Sequence, residues 1–282
     1  MLVVETPSAA LAAARRLPAP LGFVPTMGAL HAGHLSLVER AARENASVAA
    51  SIFVNPLQFG ANEDFARYPR AFERDAALFE EAGVALLYAP SPATMYPPGF
   101  AVRIDPGPAA NGFEGAARPG HFAGVATVVV KLLNALQPAR LYLGQKDAQQ
   151  VAVLRAVVRD LDLPVEVVVA PTWRESDGLA LSSRNVYLSD EHRSAAPSLY
   201  RALDAVGRAI REGERDCAAA VRAGAALVES PLELEYLAVV DPDSFAPLEA
   251  PADGALVVIA ARAGATRLID NAFVAARVEA AR

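Results

Sequence analysis

Up to about residue 170, short apolar runs alternate with stretches in which apolar residues recur at helical spacing. This alternation restricts the fold more than any other feature of the chain. Residues 21–24, 48–54, 84–88, 140–143 and 165–169 read as buried strands, with a short edge strand at 2–4. Helices are expected near 6–17, from 35 to 42, at 71–82 with Gly83 as the stop, at 125–136 and at 147–161. Strands that alternate with helices require right-handed crossovers and a parallel sheet. Beyond about residue 175 the rhythm changes. Two Ala/Arg-rich amphipathic helices, near 190–211 and 215–228, precede apolar runs at 232–240, 255–261 and 266–270, which suit a small antiparallel sheet. The expected architecture is α/β: a Rossmann-like parallel-sheet domain over residues 1–175, then a smaller α+β domain over 176–282.

In parallel sheets of this kind, ligands bind beyond the carboxyl ends of the strands. The most informative stretch lies there: Pro25-Thr26-Met27-Gly28-Ala29-Leu30-His31-Ala32-Gly33-His34, a strand closed by Pro25 that turns into a helix. Gly28 and Gly33 remove Cβ atoms where backbone or ligand must come close. His31 and His34, three apart, fall on one face of the first helical turn. The unpaired N–H groups and dipole of a helix start favour phosphate, and two imidazoles add donors aimed at the same place. A P-loop is excluded, because no Walker A glycine–lysine pattern exists.

Composition narrows the classes further. A hydrophobic content of 53% excludes disorder, and a net charge of −6 argues against a nucleic-acid surface. No apolar run approaches the ~18 residues of a membrane span. Cys217 is the single cysteine, so no internal disulfide can form, and a reducing, cytoplasmic setting fits. It sits in an ordinary helical pattern. Of 26 basic residues only Lys131 and Lys146 are lysines, which gives weight to Lys146 in Gly144-Gln145-Lys146-Asp147, at the carboxyl edge of the sheet. Asp147 can cap the following helix or hold a metal-bound water, and Gln150 lies one turn beyond Lys146. Asn55 and Gln58, after the second strand, can each donate and accept, as hydroxyl and carboxylate recognition requires. Ser182, Ser183 and Arg184 offer two hydroxyls and a guanidinium fork for phosphate oxygens. Residues 89–118, rich in Pro and Gly, are too long for a plain connector and suit a site wall.

The stretch from Pro25 to His34 resembles the HxGH signature of the nucleotidyltransferase superfamily, in which ATP lies across the first strand and the His-bearing helix. More narrowly, it is similar to the signature of the pantoate–β-alanine ligases. Further segments resemble that family in the same order: Phe53-Val54-Asn55-Pro56-Leu57-Gln58-Phe59, residues 63–70 as a flap, 112–122 before a helix lining the acid pocket, Gly144 to Gln150, and 177–185. Two departures stand in the family's Gly-Glu-Lys-Asp-aromatic pattern: Gln145 replaces Glu, and Ala148 the aromatic residue. Leu181 stands where Met is frequent.

The resemblance implies an ATP-dependent ligation in two steps. Pantoate carboxylate attacks the α-phosphorus of ATP to give pantoyl adenylate and pyrophosphate, and the β-alanine amine then displaces AMP. It implies that His31, His34, Lys146 and Arg184 act on the phosphates, with Met27, Gly28, Ala29, Leu30, Ala32, Gly33, Gly144, Gln145, Asp147, Leu181, Ser182 and Ser183 completing the ATP site. Adenine would lie near Gly144 and Trp173. Gln58, Gln150 and Asn55 would hold pantoate, Mg²⁺ would arrive with ATP and not in a protein metal site, and the chain would pair as a homodimer. No role follows for Arg118 or His121. A different HxGH nucleotidyltransferase, or a non-catalytic nucleotide sensor, would share the first motif. Neither would require Asn55, Gln58 and Gln150 together, nor His34 with Lys146 and a phosphate loop.

Overall fold

The structure is a computed structural model that describes residues 1–60 and 63–274. Its elements in chain order begin with β1 (Leu2–Val4), α1 (Pro7–Ala14), β2 (Leu21–Thr26), α2 (Ala32–Glu44), β3 (Ser47–Ile52), α3 (Phe72–Glu81) and β4 (Leu86–Tyr88). Next come α4 (Pro92–Met95), α5 (Phe113–Ala117), α6 (His121–Leu136), β5 (Arg140–Gly144), α7 (Ala148–Asp160) and β6 (Glu166–Ala170). The last third holds α8 (Asp190–Ala195), α9 (Ser198–Arg211), α10 (Cys217–Ala225), β7 (Glu233–Val240), β8 (Leu256–Ala263) and β9 (Thr266–Phe273).

The chain divides into two compact units. One comprises Met1–Gly144 with Val153–Pro171, and the other Gln145–Ala152 with Thr172–Arg282. In the first, a six-stranded sheet runs β1-β4-β3-β2-β5-β6, parallel at every pairing. The alternation read from the sequence therefore holds strand for strand, with β1 at one edge. Thr6 caps α1 by accepting from Ala9 N–H. Val24, Val38, Ala50, Phe79 and Leu87, each fully or almost fully buried, form the core where α2 and α3 meet the sheet.

The sequence expectation ends the first strand at Pro25, but β2 continues to Thr26. Thr26 points its carbonyl toward the β3 side, where it accepts from Phe53 N–H. Pro25 therefore faces β5, whose pairing with β2 stops at Phe23. The missing proline N–H falls where no partner is needed. The helix expected from 125 begins at His121. Gly120 (φ +82°) precedes it, and Gly124 belongs inside it because a Cβ there would lie 2.3 Å from the Leu57 carbonyl oxygen. The Pro- and Gly-rich stretch after β4 contains α4 and α5.

In the second unit, β7-β8-β9 form the expected antiparallel sheet. Leu199, Leu203, Val206 and Ile210 of α9 pack with Val257 and Ile259 of β8. The single helix read over 190–211 is two, because Pro197 cannot supply the N–H that would continue α8.

Candidate functional site

In the first unit, the turn between β2 and α2 is built around a carboxylate from another element. Asp75 of α3, 1% exposed, accepts from Ala29 N–H (2.7 Å) and Leu30 N–H (3.1 Å). Gly28 has φ +83°, and a Cβ on it would lie 2.9 Å from Asp75 Oδ2. Thr26 Oγ1 accepts from Gly28 N–H and donates to the Ser51 carbonyl. Two anchors thus fix a turn with left-handed residues at 28 and 29. Beyond it His31 is the N-cap of α2, and the His31 and His34 rings lie 4.0 Å apart between centroids. His31 N–H reaches His34 Nδ1 at 3.4 Å. The two imidazoles share the first turn, as the spacing predicts.

The amides at 55 and 58 form a chain with one possible sense. Asn55 Nδ2 donates to the Gly124 carbonyl (3.1 Å) and to Gln58 Oε1 (3.0 Å), while Asn55 Oδ1 accepts from Leu57 N–H and Tyr96 O–H. The Gly124 oxygen can only accept, so Asn55 must present nitrogen to it, and Gln58 must present oxygen to Asn55. Gln58 Nε2 is left pointing toward Met27, whose Sδ it meets at 3.1 Å. Asn55 has no hydrogen-bonding capacity left, whereas Gln58 keeps one N–H without a partner among the described residues.

Arg118 and His121 support Gln58 from behind. His121 Nδ1 donates to the Gln58 carbonyl (2.8 Å) and its Nε2 accepts from Arg118 Nη1 (3.0 Å), while Arg118 Nη2 also donates to the Gln58 carbonyl. Arg118 is held by Glu63 through a two-point ion pair. Burial, and then the Arg118 cation, push the His121 pKa down to about 4, so the ring is neutral. Burial is the largest single influence on the Glu63 carboxyl and would raise it, but the hydrogen bonds and charge of Arg118, with smaller contributions from His121 and the Gly60 backbone, together hold the pKa below the usual carboxylate value.

The His121 shift has a testable consequence. An unfolded imidazole binds its proton near pH 6.5, and the folded one only near 4. Within that window the unfolded chain carries more protons, so stability is fully present above pH 6.5 and is lost as the pH falls toward 4. The loss is about 3 kcal/mol for this one group. Urea denaturation at pH 7 and pH 4.5 should show a smaller loss on acidification for His121→Asn than for the wild type. Equal losses would mean that His121 does not titrate in this way.

Gly144 ends β5 in the first unit, and the second unit holds the remaining predicted groups. A 3₁₀ turn, Gln145–Asp147, opens α7. Asn271 of β9 donates to the carbonyls of Gln145 and Lys146, both at 2.9 Å, and accepts from Gln145 Nε2 at 3.0 Å. Lys146 Nζ lies 3.7 Å from the exposed Asp147 carboxylate, and Gln150 is half-buried in the first turn of α7. Further along, Leu181 N–H donates to the Trp173 carbonyl, and Trp173 is half exposed. Ser182 caps the 3₁₀ turn Ser183–Tyr187 through Arg184 N–H. Asn185 ties that turn back to the Ala180 carbonyl. Residues 173–187 are thus folded on themselves.

Comparison with known proteins decides what this arrangement belongs to. The profile of the family described as Pantoate-beta-alanine ligase matches residues 3–273. The chain belongs to that family. It is 54% identical over 273 residues to the pantothenate synthetase of Gluconobacter oxydans, covering 96% of this chain and 99% of that one. Among solved structures, pantothenate synthetase from Thermus thermophilus superposes with a TM-score of 0.92 at 54% identity, covering 97% of this chain and 99% of that one. A pantoate-beta-alanine ligase from Francisella tularensis, solved with beta-gamma ATP and beta-alanine, gives a TM-score of 0.79 at 34% identity, with 97% and 98% covered. The Rossmann-like parallel sheet followed by a small antiparallel sheet is the fold of these relatives.

Two groups that organise this ligase fold locally escape the motif reading. Asp75 stands in an amphipathic helix among other acidic residues, but it lies four residues before the buried Phe79, so it occupies the apolar stripe. An acid on that stripe was the available signal. Asn271 sits in a strand of the last third, where no motif marks it.

Proposed function

We propose that the chain condenses pantoate with β-alanine at the expense of ATP, through a pantoyl adenylate, releasing AMP and pyrophosphate. The observation that carries the reading is the Gln58 amide, oriented by Asn55 and Gly124 so that its nitrogen is directed at Met27 of the β2–α2 turn. It is an acid-recognising donor in the same unit as a phosphate-binding turn. ATP and β-alanine are the molecules bound in the Francisella relative.

In this reading His31 and His34 meet the phosphate chain of ATP, with Gly28 to Gly33 supplying backbone around it. Lys146, Ser182, Ser183 and Arg184 serve the same phosphates, and adenine lies against backbone near Gly144 and Trp173. Gln58 and Gln150 hold pantoate, while Asn55 acts through Gln58. No covalent enzyme intermediate is needed. The residues align the pantoate carboxylate with the α-phosphorus and stabilise charge growing on the phosphate oxygens. Mg²⁺ enters with ATP, because it keeps waters and phosphate ligands in preference to an all-protein cage. The reading further assigns ATP and pantoate binding to residues 1–175 and a lid role to 176–282. It places the enzyme as a homodimer in the cytoplasm.

The test is ATP consumption with pantoate and β-alanine, separately and together, with the nucleotide product identified. AMP and pyrophosphate should form only when pantoate is present. ADP, or a nucleotide joined stably to the product, would replace this reading with a kinase or a nucleotidyltransferase. In the same assay Gln58→Ala should weaken the use of pantoate by about 10–100-fold, the cost of a partner left unpaired in a polar pocket. ATP affinity by calorimetry should stay within about twofold. Equal weakening of both ligands would count against the assigned role.

A further inference from the structure

We propose that Asn271 is a positioning residue for Lys146. The proposal rests on the phosphate role given to that lysine and deepens it. Three observations within the second unit lead to it. The Asn271 side chain, 3% exposed, spends both Nδ2 hydrogens on successive carbonyls of the turn, those of Gln145 and Lys146. Its Oδ1 is taken by Gln145 Nε2. Asn271 is itself anchored: its carbonyl accepts from Arg174 Nη2, and its N–H donates to Asp270 Oδ1. Arg174 forms a two-point ion pair with the buried Asp270, lies 3.9 Å over the Tyr200 ring and donates to the Gly178 carbonyl.

A lysine is a flexible point charge on four methylenes, so its usefulness to a developing charge depends on where its backbone is held. Lys146 begins in a three-residue 3₁₀ turn, too short to be rigid alone. An asparagine at 271 can grip two adjacent carbonyls from a single nitrogen and still accept through its oxygen. A carboxylate there would face both oxygens with like polarity, and an apolar side chain would leave its side of the turn without a partner. Gln145 completes the grip because it can donate to Asn271 Oδ1. A glutamate at 145 could not donate to it.

The experiment is a double-mutant cycle read by single-turnover pyrophosphate release with ATP and pantoate. Asn271→Leu, and the milder Asn271→Ser in case the first fails to fold, are made in the wild type and in Lys146→Ala. In the wild-type background each should slow the step at least tenfold, with ATP affinity changed by less than about threefold. In the Lys146→Ala background the same substitutions should change the rate by less than twofold, because the group they position is gone. Equal slowing in both backgrounds would show that Asn271 only supports the fold, and no slowing in the wild type would remove the inference outright. A Lys146→Ala enzyme as fast as the wild type would overturn the phosphate role itself, and this inference with it.

Discussion

Replacing His34 or Lys146 by alanine should slow pantoate-dependent pyrophosphate release by about 10²–10³-fold, the usual cost of losing one preorganised donor to charge that grows in the transition state. That is roughly 3–4 kcal/mol added to the barrier. Neither substitution should unfold the protein. Lys146 Nζ lies 3.7 Å from the carboxylate of the half-exposed Asp147, and such a contact contributes little to stability. His34→Ala loses the reach-back to His31 N–H at the start of α2, about 1 kcal/mol. Urea melts measured beside single-turnover kinetics separate the two effects. If either variant releases pyrophosphate at nearly the wild-type rate, its place at the phosphates is wrong.

Asp75→Ala should be the most damaging single change in the first unit that touches no substrate. It strips the partner from two backbone N–H groups, those of Ala29 and Leu30. Each orphaned group costs about 1–3 kcal/mol, so the total is about 2–6 kcal/mol. The left-handed pair at 28 and 29 then loses the contact that favours it over ordinary backbone. Pyrophosphate release should fall together with stability, and Asp75→Asn should recover only part of both, since an amide can accept with one of its two heads. A variant at position 75 with unchanged melting and unchanged turnover would mean that the turn holds its shape unaided.

Much of the fold could be read before the structure because period and punctuation agree. Apolar runs of strand length, helical spacing and stops such as Gly83 give the parallel sheet in order, and the antiparallel trio follows from three late runs. One error is local, the Pro197 that splits the helix read over 190–211, and another falls where a long-range contact decides. The helix expected from 125 begins at His121 and takes in Gly124, where the Leu57 backbone leaves no room for a Cβ. The β2–α2 turn, the amides at 55 and 58 and the Lys146 turn were legible as motifs, because their residues are neighbours in the chain. What holds each of them was not. Asp75 grips a turn 45 residues upstream, His121 a carbonyl 63 residues upstream, and Asn271 a turn more than 120 residues away. Single-sequence reasoning sees no such distances.

The Gly124 carbonyl decides which end of the Gln58 amide is left to face a ligand. Because that oxygen can only accept, it sets the sense of two amides in succession, and the outermost group of the series is an N–H. Such an end welcomes oxygen lone pairs and offers nothing to an ammonium group. On the reading proposed for this ligase, one peptide oxygen on a helix thereby sets which head of the Gln58 amide an oxygen of pantoate would meet.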